Sequence, residues 1–168
     1  KNRGLGSMKL YHEKVLDKKG FQYAGKGSMA SRVYEEVERV IKQSKTPVKT
    51  ELREVSAGLL SGKKKFLLVS GKMKKYVIGI SAEAYGDYLC VDVYLTKEPG
   101  FLDKLRGAVA TVASRDAALG SSVMHAANLN VFESQELDNV WGTTTSSVHE
   151  ALELLGLTEN QRGFGNIA

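Results

Sequence analysis

Gly20 to Ser28 is the stretch that comes nearest to a known catalytic motif. It reads GFQYAGKGS and almost matches G-x-x-x-x-G-K-[ST], the loop that cradles nucleotide phosphates. Gly20, Gly25 and Lys26 are in register, but Gly27 stands where the magnesium-binding hydroxyl belongs. The residues before the motif are charged, whereas a phosphate loop follows a buried apolar strand. We therefore keep an enzyme acting on a phosphate ligand as an alternative, with Lys26 beside an anion site at the helix start from Gly25 to Ser28.

Lysines on both sides of one predicted strand form the second group with recognisable chemistry. Lysine ammonium groups bind phosphate oxygens, so such clusters indicate nucleic-acid binding. One trio precedes the apolar run Phe66 to Val69 and the other surrounds the turn after it, so the strand separates the trios by about 20 Å. We expect two small clusters that contact an extended phosphate backbone, or solvated strand ends. The candidates are Lys63, Lys64, Lys65, Lys72, Lys74 and Lys75.

The remaining reactive side chains do not form a catalytic or metal-binding pattern. The three histidines are scattered and do not show the spacing of metal ligands. Asp92 lies in mid-strand, opposite the predicted core face, where we expect an ion pair with a lysine. Cys90 is the single cysteine, so the chain has no internal disulfide and fits a reducing, cytoplasmic compartment. We therefore predict no metal and no cofactor, assign no catalytic residue, and consider a non-enzymatic role.

Charge is distributed unevenly along the chain. Residues 8–75 contain 17 Lys and Arg against 7 Asp and Glu, whereas residues 76–168 contain 5 against 12. Such asymmetry carries information about partners rather than about fold. No apolar run approaches the roughly 20 residues that a membrane-spanning helix needs.

The scaffold that must position these residues is the segment from Lys63 to Thr96. Leu89, Val91, Val93 and Leu95 alternate with polar residues, which is the period of a strand with one buried face. Short glycine-containing breaks separate three such segments, which predicts consecutive hairpins. The segment from Lys49 to Leu60 is ambiguous between helix and strand, and we favour a strand that adds a fourth member.

Helical periodicity marks the rest of the chain. Val33, Val37, Val40 and Ile41 predict a helix over 28–44, and apolar spacing predicts others over 101–113 and 134–156. The last of these is one helix, or two if the chain breaks after Gly142. A rough pattern over 8–19 predicts an N-terminal helix or arm.

The expected fold is α+β: an antiparallel β-meander of four or five strands, with three or four helices packed on one face. We assign residues 1–7 to a vector-derived leader, 8–28 to the N-terminal helix or arm and a Gly-rich loop, 29–156 to a single domain, and 157–168 to a flexible tail.

The functional hypothesis from sequence is a binding or assembly module with a charge-polarised surface and an apolar C-terminal helix. Its partner would be another protein or a second copy of the chain, in a homo-oligomer. The alternatives are a nucleic-acid-binding domain that uses the basic N-terminal half, and the phosphate-ligand enzyme described above. The candidate partner-interface residues are Leu137, Trp141, Val148 and Leu155.

Overall fold

The computed structural model describes residues 8–9, 15–56, 63–97 and 129–157. These residues form six strands and two α-helices, with one turn of 3₁₀ helix (Gly27–Met29) before the first α-helix. The elements in chain order are β1 (Met8–Lys9), β2 (Val15–Tyr23), α1 (Ala30–Gln43), β3 (Lys49–Ser56), β4 (Lys63–Ser70), β5 (Tyr76–Tyr85), β6 (Tyr88–Lys97) and α2 (Val131–Leu154).

The strands form one sheet in the order β1-β3-β4-β5-β6-β2. Strands β3 to β6 follow one another as antiparallel hairpins, and β2 lies antiparallel beside β6. The two residues of β1 pair in parallel with the end of β3. The prediction of an α+β fold with an antiparallel sheet is confirmed, and Lys49–Ser56 is a strand as expected.

The core lies between one face of this sheet and the two helices. Leu89, Val91 and Val93 of β6 are 0% exposed, and the same face of β5 contributes Ile78 and Ile80. Removing such a side chain from water stabilises the fold by about 1.5–3 kcal/mol. The prediction that Leu89, Val91 and Val93 face the core is therefore confirmed.

Both helices turn an apolar stripe toward this core. In α1 the buried residues are Val33, Val37, Val40 and Ile41, as the sequence predicts. Helix α2 is continuous, and its start carries a capping box in which Asn130 and Glu133 bond each other's backbone N–H groups. Near Gly142, where a break was considered, the Thr145 hydroxyl donates to the carbonyl of Trp141.

The prediction of three or four helices is not matched, because the described residues contain two α-helices. The expected helix over 101–113 lies outside the described residues, as do the expected leader over 1–7 and all but the first residue of the expected tail over 157–168. Neither α1 nor α2 is long and apolar enough to cross a bilayer.

Of the two alternatives for 8–19, a helix or an arm, the helix is wrong over Val15 to Lys19, which belong to β2. A register shift between Val15 and Asp17 interrupts the period-two pattern at the start of the strand, and the exposed run from Lys18 to Gly20 has no apolar alternation. Partly buried Leu16 packs against the core, and Lys19 approaches the helix side with its ammonium 5.9 Å from the Trp141 ring centre. Pairing with β6 therefore determines that this segment is a strand.

Candidate functional site

The structure gathers lysines at one end of the sheet, which we call the basic end: Lys45, Lys49, Lys72, Lys74, Lys75 and Lys97. Strand pairing places them there. Lys49 begins β3 opposite Ser70, the last residue of β4, and Lys97 ends β6 opposite Tyr76, the first residue of β5. The turn between β4 and β5 carries three of the six, and Lys45 lies in the turn before β3. Four adjacent strands span about 15 Å, so the six ammonium groups share one side of the molecule.

Electrostatics at the basic end are only partly balanced by carboxylates. Lys75 Nζ lies 3.1 Å from Glu133 Oε1, and the pKa of Glu133 is lowered by the Asn130 backbone hydrogen bond and by Lys75. Burial lowers the pKa of Lys97, and the positive charge of Lys75 lowers it further. Lys45, Lys49, Lys72 and Lys74 are exposed and form no ion pair with other described residues. The basic end therefore carries positive charge that the acidic residues in the described part of the chain leave uncompensated.

Lys45 adds a second unusual feature to this end. Its φ of 53° places it in the left-handed region that favours glycine. It follows Ser44, the C-cap residue of α1, and its N–H donates to the Lys42 carbonyl. A glycine there would close the helix with less strain. Lysine at this position therefore lowers the stability of the fold relative to glycine.

The other predicted lysine trio lies at the opposite end of β4, as expected. Lys64 Nζ is 2.7 Å from Glu83 Oε2 on the adjacent strand. Lys65 is exposed, and the side chain of Lys63 lies outside the described residues. The two trios are separated by the length of β4, so they form two clusters and not one patch.

The Gly20-to-Ser28 stretch does not have the form of a phosphate loop. Gly20 lies inside β2, opposite Asp92, so the predicted loop is wrong over Gly20 to Tyr23. The N–H of Gly27 donates to the Asp87 carbonyl at 3.0 Å, and a Cβ on Gly27 would lie 2.9 Å from the Gly86 carbonyl oxygen. The loop packs against the β5–β6 turn, where a phosphate would need free N–H groups. Lys26 is exposed beside it.

The candidate partner-interface stripe on α2 faces the core of its own chain. Leu137 and Val148 are 4% and 0% exposed. Trp141 and Leu155 are partly buried against the same core. The stripe therefore packs α2 into the core that it shares with α1 and the sheet, and it offers little surface to a partner helix.

Asp92 forms the ion pair with a lysine that the sequence suggested. Its Oδ1 lies 3.1 Å from Lys18 Nζ, and this ammonium also lies 5.1 Å from the Tyr94 ring centre. Asp92 and Glu83 each bind a different lysine. Among the described residues, no three His, Cys, Asp or Glu side chains are grouped as metal ligands.

Sequence reasoning missed a polar contact inside the sheet. Strands β4 and β5 pair only from Leu67 to Val69, and continuing that register would bring Lys65 opposite Ala82. The Tyr34 hydroxyl of α1 lies between these two residues. It accepts from the Ala82 N–H at 2.8 Å and lies 2.9 Å from the Lys65 carbonyl and 3.1 Å from the Ala82 carbonyl. Only strand pairing identifies this role, because Tyr34 is simply the neighbour of a buried valine in sequence.

A small apolar cleft is lined by residues of the β4–β5 turn, of the adjacent strands and of α2. Val69, Gly71, Met73 and Val140 are among its lining residues, and its volume is about 10 Å³. That is space for one water molecule, whereas sites for small-molecule ligands usually measure about 300–1,000 Å³. This cleft is therefore too small for a substrate.

Comparisons of the chain with protein-family models, with curated proteins and with solved structures found no match.

Proposed function

We propose that this protein is a binding module that holds the sugar-phosphate backbone of a nucleic acid at the basic end. The observation that carries the proposal is the convergence of six lysines from four segments on one end of the sheet, four of them exposed and without an ion pair to other described residues. Cations spread over an exposed surface suit a long polyanion, since phosphates can be contacted one after another along it.

The two other functions considered from sequence receive less support. The assembly hypothesis relied on the apolar stripe of α2, which packs into the core. It also relied on separated charge, but ion pairs such as Lys64–Glu83 and Lys75–Glu133 join the basic and acidic halves of the sequence. The phosphate-ligand enzyme needed the Gly27 N–H, which donates instead to the Asp87 carbonyl.

The mechanism of binding is counterion release. Each phosphate neutralised by a lysine frees a condensed cation, so the logarithm of affinity falls with the logarithm of salt concentration, by about 0.7 per contact for single strands and about 0.9 for duplex DNA. Four exposed lysines would therefore give a slope of roughly −3 to −4. Recognition by backbone contacts alone carries no sequence preference.

The test is fluorescence anisotropy with labelled single-stranded and duplex oligonucleotides over a range of salt concentrations. The triple variant Lys49→Gln, Lys72→Gln, Lys74→Gln should bind at least tenfold more weakly and with a shallower salt slope. Its matched control is Lys26→Gln, Lys64→Gln, Lys65→Gln, which removes the same charge from the opposite end and should retain most of the affinity. Equal weakening by both triples, or no binding by the unmodified protein at low salt, would exclude the basic end as the site.

A Lys45→Gly variant separates binding from folding. It removes one cation and the unfavourable backbone conformation together, so affinity should fall while the free energy of unfolding rises by about 1 kcal/mol. A variant that becomes more stable without losing affinity would show that Lys45 takes no part in binding.

A further inference from the structure

Strand β3 is paired along the whole of one side, whereas among the described residues its other side is paired only at one end. On the first side all eight of its residues pair with β4. On the other, within the described part of the chain, Val55 and Ser56 pair with the two residues of β1, and the backbone from Lys49 to Glu54 has no neighbouring strand. An edge of this length presents backbone N–H and C=O groups that another strand can pair with.

The side chains along this edge are complementary to those of a second, antiparallel copy of the same edge. Leu52 is 55% exposed. Glu51 and Arg53 lie on either side of it, on the sheet face away from α1, and are joined by an ion pair of 2.7 Å. If a second copy of β3 lay antiparallel with the two Leu52 residues opposite each other, Glu51 of each copy would face the partner's Arg53. Opposite charges across a strand pair stabilise it, and like charges destabilise it.

We propose that β3 is the contact surface of a symmetric homodimer, in which two sheets join edge to edge about a two-fold axis at Leu52. This inference concerns a different surface from the proposed nucleic-acid site and stands independently of it. Thr50 to Glu54 pair with the same residues of the partner, so the dimer contains two charge pairs between Glu51 and Arg53 and one leucine contact. The register is limited by β1, which already occupies the edge at Val55 and Ser56.

The surface area buried in this contact limits the affinity of the dimer. Stable dimers usually bury about 1,200–2,000 Å² in total, and a contact of five residues on each side falls short of that. The dimer is therefore expected to be weak and concentration-dependent. Because both interfaces are the same patch, the contact closes on itself and does not build fibres.

Charge exchange tests the pairing directly, by sedimentation velocity over a wide range of protein concentration. Glu51→Arg alone places two arginines opposite each other, and Arg53→Glu alone places two glutamates opposite each other, so each variant should dimerise at least tenfold more weakly. An equal mixture of the two single variants should recover the dimer, since every cross-strand pair is then opposite in charge. The control Glu36→Arg alters an exposed ion pair on α1 and should leave dimerisation unchanged.

Crosslinking provides a second, independent measurement. Leu52→Cys would place two thiols opposite each other across the axis, and mild oxidation should yield a covalent dimer. Thr50→Cys faces the partner's Glu54 and should not crosslink. The proposal is overturned if the unmodified protein stays monomeric at millimolar concentration, or if the mixed single variants fail to recover the dimer.

Discussion

Removal of the Tyr34 hydroxyl tests whether its hydrogen bonds hold β4 and β5 together. Tyr34→Phe keeps the ring in the partly buried layer beside the core and removes only the oxygen atom. That atom accepts the Ala82 N–H and shares its own proton between the carbonyls of Lys65 and Ala82. Without it, these backbone groups lose their partner at the place where the strands no longer pair directly.

The expected loss follows from the bonds that are removed. One accepted and one shared donated hydrogen bond contribute about 1 kcal/mol each, and a buried donor left without a partner costs about 1–3 kcal/mol. Water reaches part of this site, since Tyr34 is only partly buried. We therefore expect the free energy of unfolding to fall by roughly 1–3 kcal/mol.

Urea unfolding followed by circular dichroism measures this change, and amide hydrogen exchange locates it. The midpoint should fall with an unchanged slope, and exchange at Ala82 should accelerate more than at Val91, on the next strand. Tyr85→Phe is the matched control, because Tyr85 is 79% exposed. If Tyr34→Phe is as stable as the control, the hydrogen bonds of the Tyr34 hydroxyl do not hold β4 and β5 together, and this reasoning is refuted.

Two further outcomes are expected. Gly27→Ala should lower the free energy of unfolding by about 1–3 kcal/mol in urea titrations, because its Cβ would meet the Gly86 carbonyl oxygen at 2.9 Å. The control Ser28→Ala, at an exposed residue, should change the free energy of unfolding by less than about 0.5 kcal/mol. Equal effects of the two variants would show that the two turns are not packed as described. The free energy of unfolding should also fall as pH rises above about 10, because burial raises the pKa of three tyrosines in the folded state and the unfolded chain therefore releases these protons first. Urea titrations from pH 8 to pH 11 measure this loss, which should be smaller in Tyr34→Phe, and a pH-independent result would contradict it. The three tyrosines are Tyr34, Tyr76 and Tyr94.

Some of the fold could be predicted because its signal is local. The alternation of Leu89, Val91 and Val93 is visible in sequence, since successive strand residues point to opposite faces. The stripe of Val33 and Val37 in α1 has the helical period for the same kind of reason. The basic end was partly visible, through the lysines of the β4–β5 turn.

Other features could not be predicted because they depend on partners distant in sequence. Lys45, Lys49 and Lys97 join the turn lysines only because β3, β4, β5 and β6 are neighbours in the sheet. The bulge in β2 conceals its strand pattern, and pairing with β6, some 75 residues away, imposes the conformation. The apolar spacing of the α2 stripe in the sequence is the same whether a partner or the protein's own core covers it.

The sequence by itself determined which segments have a buried face, because side-chain periodicity and polarity act within a few residues along the chain. Only the tertiary structure decided which lysines share one surface, which glutamates neutralise them, and that the Tyr34 hydroxyl lies between two strands. Those outcomes depend on strand order and register, which are set by contacts between residues far apart in the chain.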